Sequence, residues 1–272
     1  MSQFNYQLVG PEGGQRWVFL HGLMGYALNW RKIISGLEST ERVLAYDQRG
    51  HGKSFKPITG YAAEDYADDL FLISEELGWD RFILVGHSMG ARNAIMFAHK
   101  FPEKVERLVL EDIGPEGQPE AVKYYQDLLG CVPTPFASKL VAKEFFLNEF
   151  PLRLKALGGH ENANTLGQYF YANLIETAEQ TVDWRFSKEA IFASVKQGRA
   201  KDHWAELRQL PMPTLVVRGA ESKELSREIF QRMVLANPRI EGVEIPNAGH
   251  WVHSEQSQEF LRVIRQFAGL PL

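Results

Sequence analysis

At 272 residues, with 44% hydrophobic and 24% charged residues, the chain is long enough to bury one large core and has the balance of a soluble globular protein. A net charge of −4 without a long lysine or arginine run excludes nucleic acid and anionic membrane as expected partners, and a single cysteine, Cys131, excludes an internal disulfide and a zinc–thiolate site. The N-terminus, MSQFNYQLVG, has neither a basic start nor an apolar stretch of signal length, and no uncharged apolar run reaches about 18 residues, so a cytoplasmic protein acting on a small molecule as a monomer or homodimer is expected. Residues 4–10 and 16–20 read as strands around a Pro11-Glu12-Gly13-Gly14 turn, which predicts a hairpin. The second strand runs into His21-Gly22-Leu23-Met24-Gly25, a glycine loop at the strand end where open α/β sheets place ligands. The backbone N–H of Leu23 is a candidate oxyanion donor there, and His21, directly before a glycine, reads as a hydrogen-bonded loop organiser. A short helix (29–38) and a strand (42–46) follow, then a polar loop (47–54) in which Asp47, Arg49 and His51 have neither metal-ligand spacing nor a phosphate-loop glycine pattern. A hydrogen-bonded structural loop near the site is expected. Residues 63–78 carry Tyr66, Leu70, Ile73 and Leu77 at helical spacing.

The next stretch, RFILVGHSMGA at 81–91, is an apolar run that stops at Gly86, presents Ser88 and resumes as a helix from Met89. Gly86-His87-Ser88-Met89-Gly90 fits Gly-x-Ser-x-Gly, in which the serine sits on a strained turn that flanking glycines make sterically possible. Ser88 thereby stands at a helix N-terminus, where free N–H groups and the helix dipole favour developing negative charge. Ser88 is the candidate nucleophile, and the Met89 N–H the partner of Leu23 in an oxyanion site. Arg92 and Asn93, just beyond, read either as contacts to a polar acid substrate or as packing and capping. Residues 105–113 form another buried-strand pattern, and the alternation of strand and helix calls for a mostly parallel sheet with helices on both faces. Asp112 falls at the strand end that shares an edge with Ser88, whereas Glu111 points to the other side by alternation. From 115 to 199 strand signals give way to helical segments (120–129, 135–150, 165–178, 187–196) rich in aromatics, expected as a lid with its own core. His160 reads as an exposed loop residue, and His203-Trp204 as packing. Strands at 214–219 and 240–246 and helices at 226–235 and 254–268 close the chain. Between the last strand and helix, His250 follows Gly249 at the Ser88 edge, as the base of a serine nucleophile must. His253 reads as a surface or capping residue.

The HG loop at His21 and Gly22, DQRGHGKS at 47–54, GHSMGA at 86–91, the helical segment and AGHWVH at 248–253 together resemble the α/β-hydrolase superfamily over nearly the whole chain. The GHSMG elbow with a compact lid is similar to small bacterial carboxylesterases. The resemblance implies a mostly parallel eight-stranded sheet flanked by helices, with a core domain at 1–114 and 200–272 and a helical lid at 115–199. It also implies a carboxylic ester hydrolase in which Ser88 attacks, His250 moves the proton and the N–H groups of Leu23 and Met89 hold the oxyanion, without metal or organic cofactor. Dehalogenases and epoxide hydrolases carry aspartate at the nucleophile position, so Ser88 argues against both. The family often places its acid after the strand equivalent to 214–219, where this chain has Ala220-Glu221-Ser222-Lys223-Glu224 and no aspartate. Some members instead use an aspartate after the strand that follows the elbow helix. Asp112 matches that position and is assigned as the acid, with Glu224 and Glu221 as alternatives. The same triad would serve a thioester, a lactone or the carbon–carbon bond of a ring-cleavage product. A ligand-binding protein with little turnover is the reading from a different class.

Overall fold

The computed structural model describes residues 1–118, 120–158 and 162–271, so His160 lies outside the described residues. Nine strands are present among them: β1 (Tyr6–Val9), β2 (Arg16–Leu20), β3 (Arg42–Tyr46), β4 (Phe82–His87), β5 (Val105–Glu111), β6 (Leu174–Glu176), β7 (Val182–Trp184), β8 (Thr214–Gly219) and β9 (Ile240–Ile245). Seven of them build one sheet in the order β1-β3-β2-β4-β5-β8-β9. All neighbours pair in parallel except β1, which runs antiparallel to β3. Seven strands stand where eight were expected, one for each of the seven strand patterns that the core of the sequence carries. The predicted β1–β2 hairpin is also corrected. β3 inserts between the two, because β2 is a hydrophobic run buried on both faces and takes parallel neighbours on either side.

Alternation along the strands explains the layers. Val18, Leu20, Leu44, Tyr46 and Leu84 enter one core with the helices Ala63–Glu76 and Met89–Lys100, while Trp17, Phe19, Val43, Ala45, Ile83 and Val85 enter a second with Arg31–Ser35 and Ser257–Ala268. The segment from 121 to 198 holds helices Ala121–Gly130, Lys139–Asn148, Phe150–Ala156, Ala163–Ala172 and Lys188–Gly198 around a core of its own that includes Phe145, Phe146, Phe150, Phe170 and Trp184. The expectation that strands vanish here is corrected. β6 and β7 form a small antiparallel hairpin where a helix to 178 was predicted. Asn173 ends the helix, and Gln180, at φ 59°, turns the chain back between the two strands.

Every loop expected to carry chemistry leaves the C-terminal end of a parallel strand: Leu23 after β2, Ser88 after β4, Asp112 after β5, the 220–224 loop after β8 and His250 after β9. The sheet order sets the reach required of each. His250, from the edge strand, must cross above β8 to meet Asp112.

Candidate active site

Ser88 connects β4 to the helix Met89–Lys100 with φ 53° and ψ −119°, a conformation that costs a non-glycine residue roughly 1–3 kcal/mol. The surroundings that enforce it are backbone. A Cβ at Gly86 would lie 2.4 Å from the Gly90 carbonyl oxygen and one at Gly90 would lie 2.4 Å from the Leu20 carbonyl oxygen, so both positions demand glycine. Met89 is the first residue of the helix, so its N–H has no intrahelical carbonyl to bond.

Asp112 is fully buried, and its φ of 53° turns the chain at the end of β5. Simple alternation sends Glu111 and Asp112 to opposite sides, and the two carboxylates meet different residues of the segment after β9, Asp112 at His250 and Glu111 at His253. Asp112 Oδ2 lies 2.8 Å from His250 Nδ1, and the carboxylate also accepts from the Gly219 N–H at 3.0 Å and the Ser222 hydroxyl at 2.5 Å. With Nδ1–H committed to the carboxylate, Nε2 of His250 carries the lone pair. Burial alone drives the His250 pKa down, but the hydrogen bond and charge of Asp112, with smaller help from Glu224 and Glu111, outweigh it and hold the ring above its ordinary value.

Neither alternative acid bonds His250. Glu224 stands 3.8 Å from Arg199, and Glu221 is exposed at the rim of a cleft. Ser222, a residue the sequence reading passed over, occupies the loop where the family often keeps its acid. Its hydroxyl serves Asp112 instead. A serine three residues past the β8 glycine was the only available signal.

His253 also departs from expectation. It is buried rather than exposed, and both its backbone N–H, at 2.8 Å, and its Nδ1, at 2.9 and 3.0 Å, meet the buried Glu111 carboxylate. Burial raises Glu111 to about 7 and depresses His253 to about 3. His87 completes this layer by donating from Nε2 to the His250 carbonyl at 2.9 Å. His87, Glu111 and His253 are the one group of metal-ligand types, among the described residues, whose donor atoms lie within 4.8 Å of one another, and the carboxylate is already engaged by His253.

The glycine loop is held from below. His21 Nδ1 donates to the Gly22 carbonyl at 2.8 Å, and Nε2 accepts the Gln48 N–H at 3.0 Å. Asp47 accepts from Asn5, Ala27 and Lys53, and Arg49 forms a two-pronged pair with Asp69. Arg92 reads no cavity carboxylate: its donors go to the carbonyls of Gly114, Glu116, Gly198 and Lys201. Asn93 donates to Gln48.

Ser88, His250 and Leu23 line a small cavity of about 50 Å³ whose other walls include Leu128, Leu166, Tyr169 and Trp251. Glu224, His250 and Trp251 also border a larger outer cleft of about 610 Å³ rimmed by Glu221, Lys223 and Glu255. The smaller cavity is the one in contact with the candidate nucleophile. No helix among the described residues is long and apolar enough to cross a membrane.

Residues 18–257 match the family model described as the alpha/beta hydrolase fold. A 2-(acetamidomethylene)succinate hydrolase of Mesorhizobium japonicum is 28% identical over 263 residues, covering 93% of this chain and 88% of the relative. The sn-1-specific diacylglycerol lipase ABHD11 of Mus musculus is 28% identical over 268 residues, covering 92% and 80%. Among solved structures, that of E-2-(acetamidomethylene)succinate hydrolase superposes with a TM-score of 0.83 at 27% identity, covering 98% of this chain and 95% of the other.

Proposed function

The chain belongs to the α/β-hydrolase fold family, and on that premise we propose that it is a serine hydrolase cleaving carboxylic esters of small or medium acyl chains through an acyl-enzyme. The observation that carries the reading is the 2.8 Å bond between His250 Nδ1 and the buried Asp112 carboxylate, beside a serine held at positive φ in the same cavity. In this reading His250 Nε2 takes the Ser88 proton as the hydroxyl attacks the ester carbonyl, and then returns it to the leaving alcohol. Water, activated by the same nitrogen, attacks the acyl carbonyl and releases the acid. Asp112 holds the ring in the required tautomer and supports its positive charge. The Leu23 and Met89 N–H groups hold the oxyanion, each worth roughly 3–4 kcal/mol in the transition state.

The residues 115–199 act as a cap over a core of 1–114 and 200–272. Support for that division comes from the segment's aromatic cluster, which the rest of the chain joins through Leu23, Met24 and Trp251, and from Leu128, Leu166 and Tyr169, which reach from the segment into the Ser88 cavity. The cavity walls favour a neutral acyl group: they are mainly apolar, their one carboxylate is Glu224, and the nearby Arg92 spends its donors on backbone carbonyls. That lining suits the ester of the lipase relative better than the succinate of the hydrolase relative.

Steady-state hydrolysis of p-nitrophenyl esters of increasing acyl length tests the reading. Activity lost in Ser88→Ala, lowered on the order of 10⁴-fold in Asp112→Asn and retained in Glu224→Gln is the expected pattern. Loss in Glu224→Gln with activity kept in Asp112→Asn would move the acid to Glu224. Ester hydrolysis that survives Ser88→Ala would sink the mechanism.

A further inference from the structure

The glycine loop that carries Leu23 is built from two consecutive peptide units, and a different part of the molecule holds each. The Gly22–Leu23 unit, which contains the Leu23 N–H, is fixed from the core: its carbonyl accepts from the Gly25 N–H at 3.0 Å and from His21 Nδ1 at 2.8 Å. A trans peptide aims its N–H opposite to its carbonyl, so this anchoring points the Leu23 N–H away from His21. The Leu23–Met24 unit is held from the cap. Tyr169, on the helix Ala163–Ala172, donates its hydroxyl to the Leu23 carbonyl at 2.8 Å.

That second bond sits at the strained point of the loop. Met24 has φ 61°, a conformation an L-residue keeps only where its surroundings enforce it. The loop closes tightly onto the tyrosine: a Cβ at Gly25 would fall 2.7 Å from the Tyr169 hydroxyl. The Tyr169 ring also packs on Trp251, the residue after His250, at 5.4 Å between centroids, and both line the Ser88 cavity. Burial, with the neighbouring Tyr125 and Tyr26, raises the Tyr169 pKa, so the hydroxyl remains a donor throughout the working range of a histidine base.

We infer that Tyr169 is a positioning residue through which docking of the cap completes the oxyanion hole: its hydroxyl holds the Leu23 carbonyl, and thereby the strained loop, in the orientation that aims the Leu23 N–H at the substrate oxygen. The inference rests on the serine-hydrolase reading and extends it. A cap lifted from the core withdraws Tyr169, releases the strain at Met24 and misaims one oxyanion donor. The active geometry then exists only when the cap is docked on the core.

The test compares wild type with Tyr169→Phe, which keeps the ring on Trp251 and removes only the hydroxyl; Tyr169→Met serves in its place if Tyr169→Phe fails to fold. Three readouts are taken: the rate at which a fluorophosphonate labels Ser88, kcat and KM on a p-nitrophenyl ester, and inhibition by a trifluoromethyl ketone that forms the tetrahedral adduct. Complete loss of an oxyanion donor costs about 10²–10³-fold, so misaiming one should lower labelling and kcat on the order of 10- to 100-fold. Ketone affinity should fall by a similar factor, with KM within about twofold. A purely structural role would shift the melting temperature without this split. Equal labelling of wild type and variant, or a raised KM at constant kcat, overturns the inference while leaving the serine-hydrolase reading intact. A wild type that takes no label overturns both.

Discussion

His250 must be neutral to accept the Ser88 proton, so kcat/KM should rise with pH as the ring deprotonates. Asp112 holds that ring above its ordinary value, which places the acid limb of the profile higher than a free histidine would give. In Asp112→Asn the hydrogen bond can persist but the charge is gone, and burial, the opposing influence, then dominates. The limb of the residual activity should move down, and a profile with an unmoved midpoint would mean that another group sets the titration. Glu224→Gln should move the limb slightly in the same direction, because the Glu224 charge supports the ring less than Asp112 does. At this scale the sequence was informative where chemistry demands a fixed local pattern. Gly86 and Gly90 bracket Ser88 because backbone oxygens stand 2.4 Å from where their Cβ atoms would be, and that pattern survives in one dimension. Ser222, His253 and Tyr169 were illegible because their partners lie 110, 142 and 146 residues away, and a lone serine, histidine or tyrosine carries no mark of a distant carboxylate or carbonyl.

Arg92 works between elements. From the helix Met89–Lys100 its guanidinium donates to Gly114 and Glu116 on the way into the helical segment and to Gly198 and Lys201 on the way out, so one side chain ties both ends of that segment to the helix that begins at Met89. Arg92→Met keeps most of the stem and leaves the buried Gly114 carbonyl, with the part-buried carbonyls of Glu116, Gly198 and Lys201, without this donor, a loss of about 1–3 kcal/mol. Urea unfolding should shift to lower denaturant, and limited proteolysis should gain cuts within 115–199 before the core is attacked. An unchanged midpoint with unchanged cleavage would show that the ends of the segment hold without it. The elements themselves were legible wherever burial imposes a period: the strands that form the centre of the sheet are continuous apolar runs, and 63–76 shows helical spacing. The departures fell where local pattern underdetermines pairing. β1 reads equally well as the hairpin partner of β2 or the antiparallel edge beside β3, and β6 is only the three residues Leu174-Ile175-Glu176 continuing from a helix.

At the scale of the molecule, the active-site end of the sheet rests on histidines that burial keeps neutral. His21 is lowered to about 4 and His51 to about 3, both chiefly by desolvation, and His87 is lowered well below its ordinary value for the same reason. Each has a folded pKa below the unfolded value of about 6.5, so each contributes stability that is fully present above about pH 6.5 and is lost as pH falls through its folded value. Between those limits the unfolded chain binds about one more proton per histidine, which is worth roughly 1.4 kcal/mol per pH unit for each. The Glu111–His253 pair behaves differently. Glu111, raised to about 7, contributes stability that is lost as pH rises from the unfolded carboxylate range toward 7, whereas His253, lowered to about 3, contributes stability lost as pH falls below about 6.5. Between about pH 4.5 and 6.5 the native pair shares one proton and the unfolded pair also binds one, so the two slopes cancel. Acid sensitivity in this window therefore rests on His21, His51 and His87, joined by His203, which burial also lowers, and opposed by His250, which Asp112 raises. Unfolding free energies from urea titrations should fall from pH 7 to pH 5 by about 2 kcal/mol each for His21 and His51, with a further loss from His87, a large share of the roughly 5–15 kcal/mol typical of a domain. His51, whose Nε2 has no hydrogen-bond partner among the described residues, is the site at which the cause can be isolated. His51→Gln should remove about one proton from the slope, and a variant with the wild-type slope would show that the proton uptake on unfolding arises elsewhere.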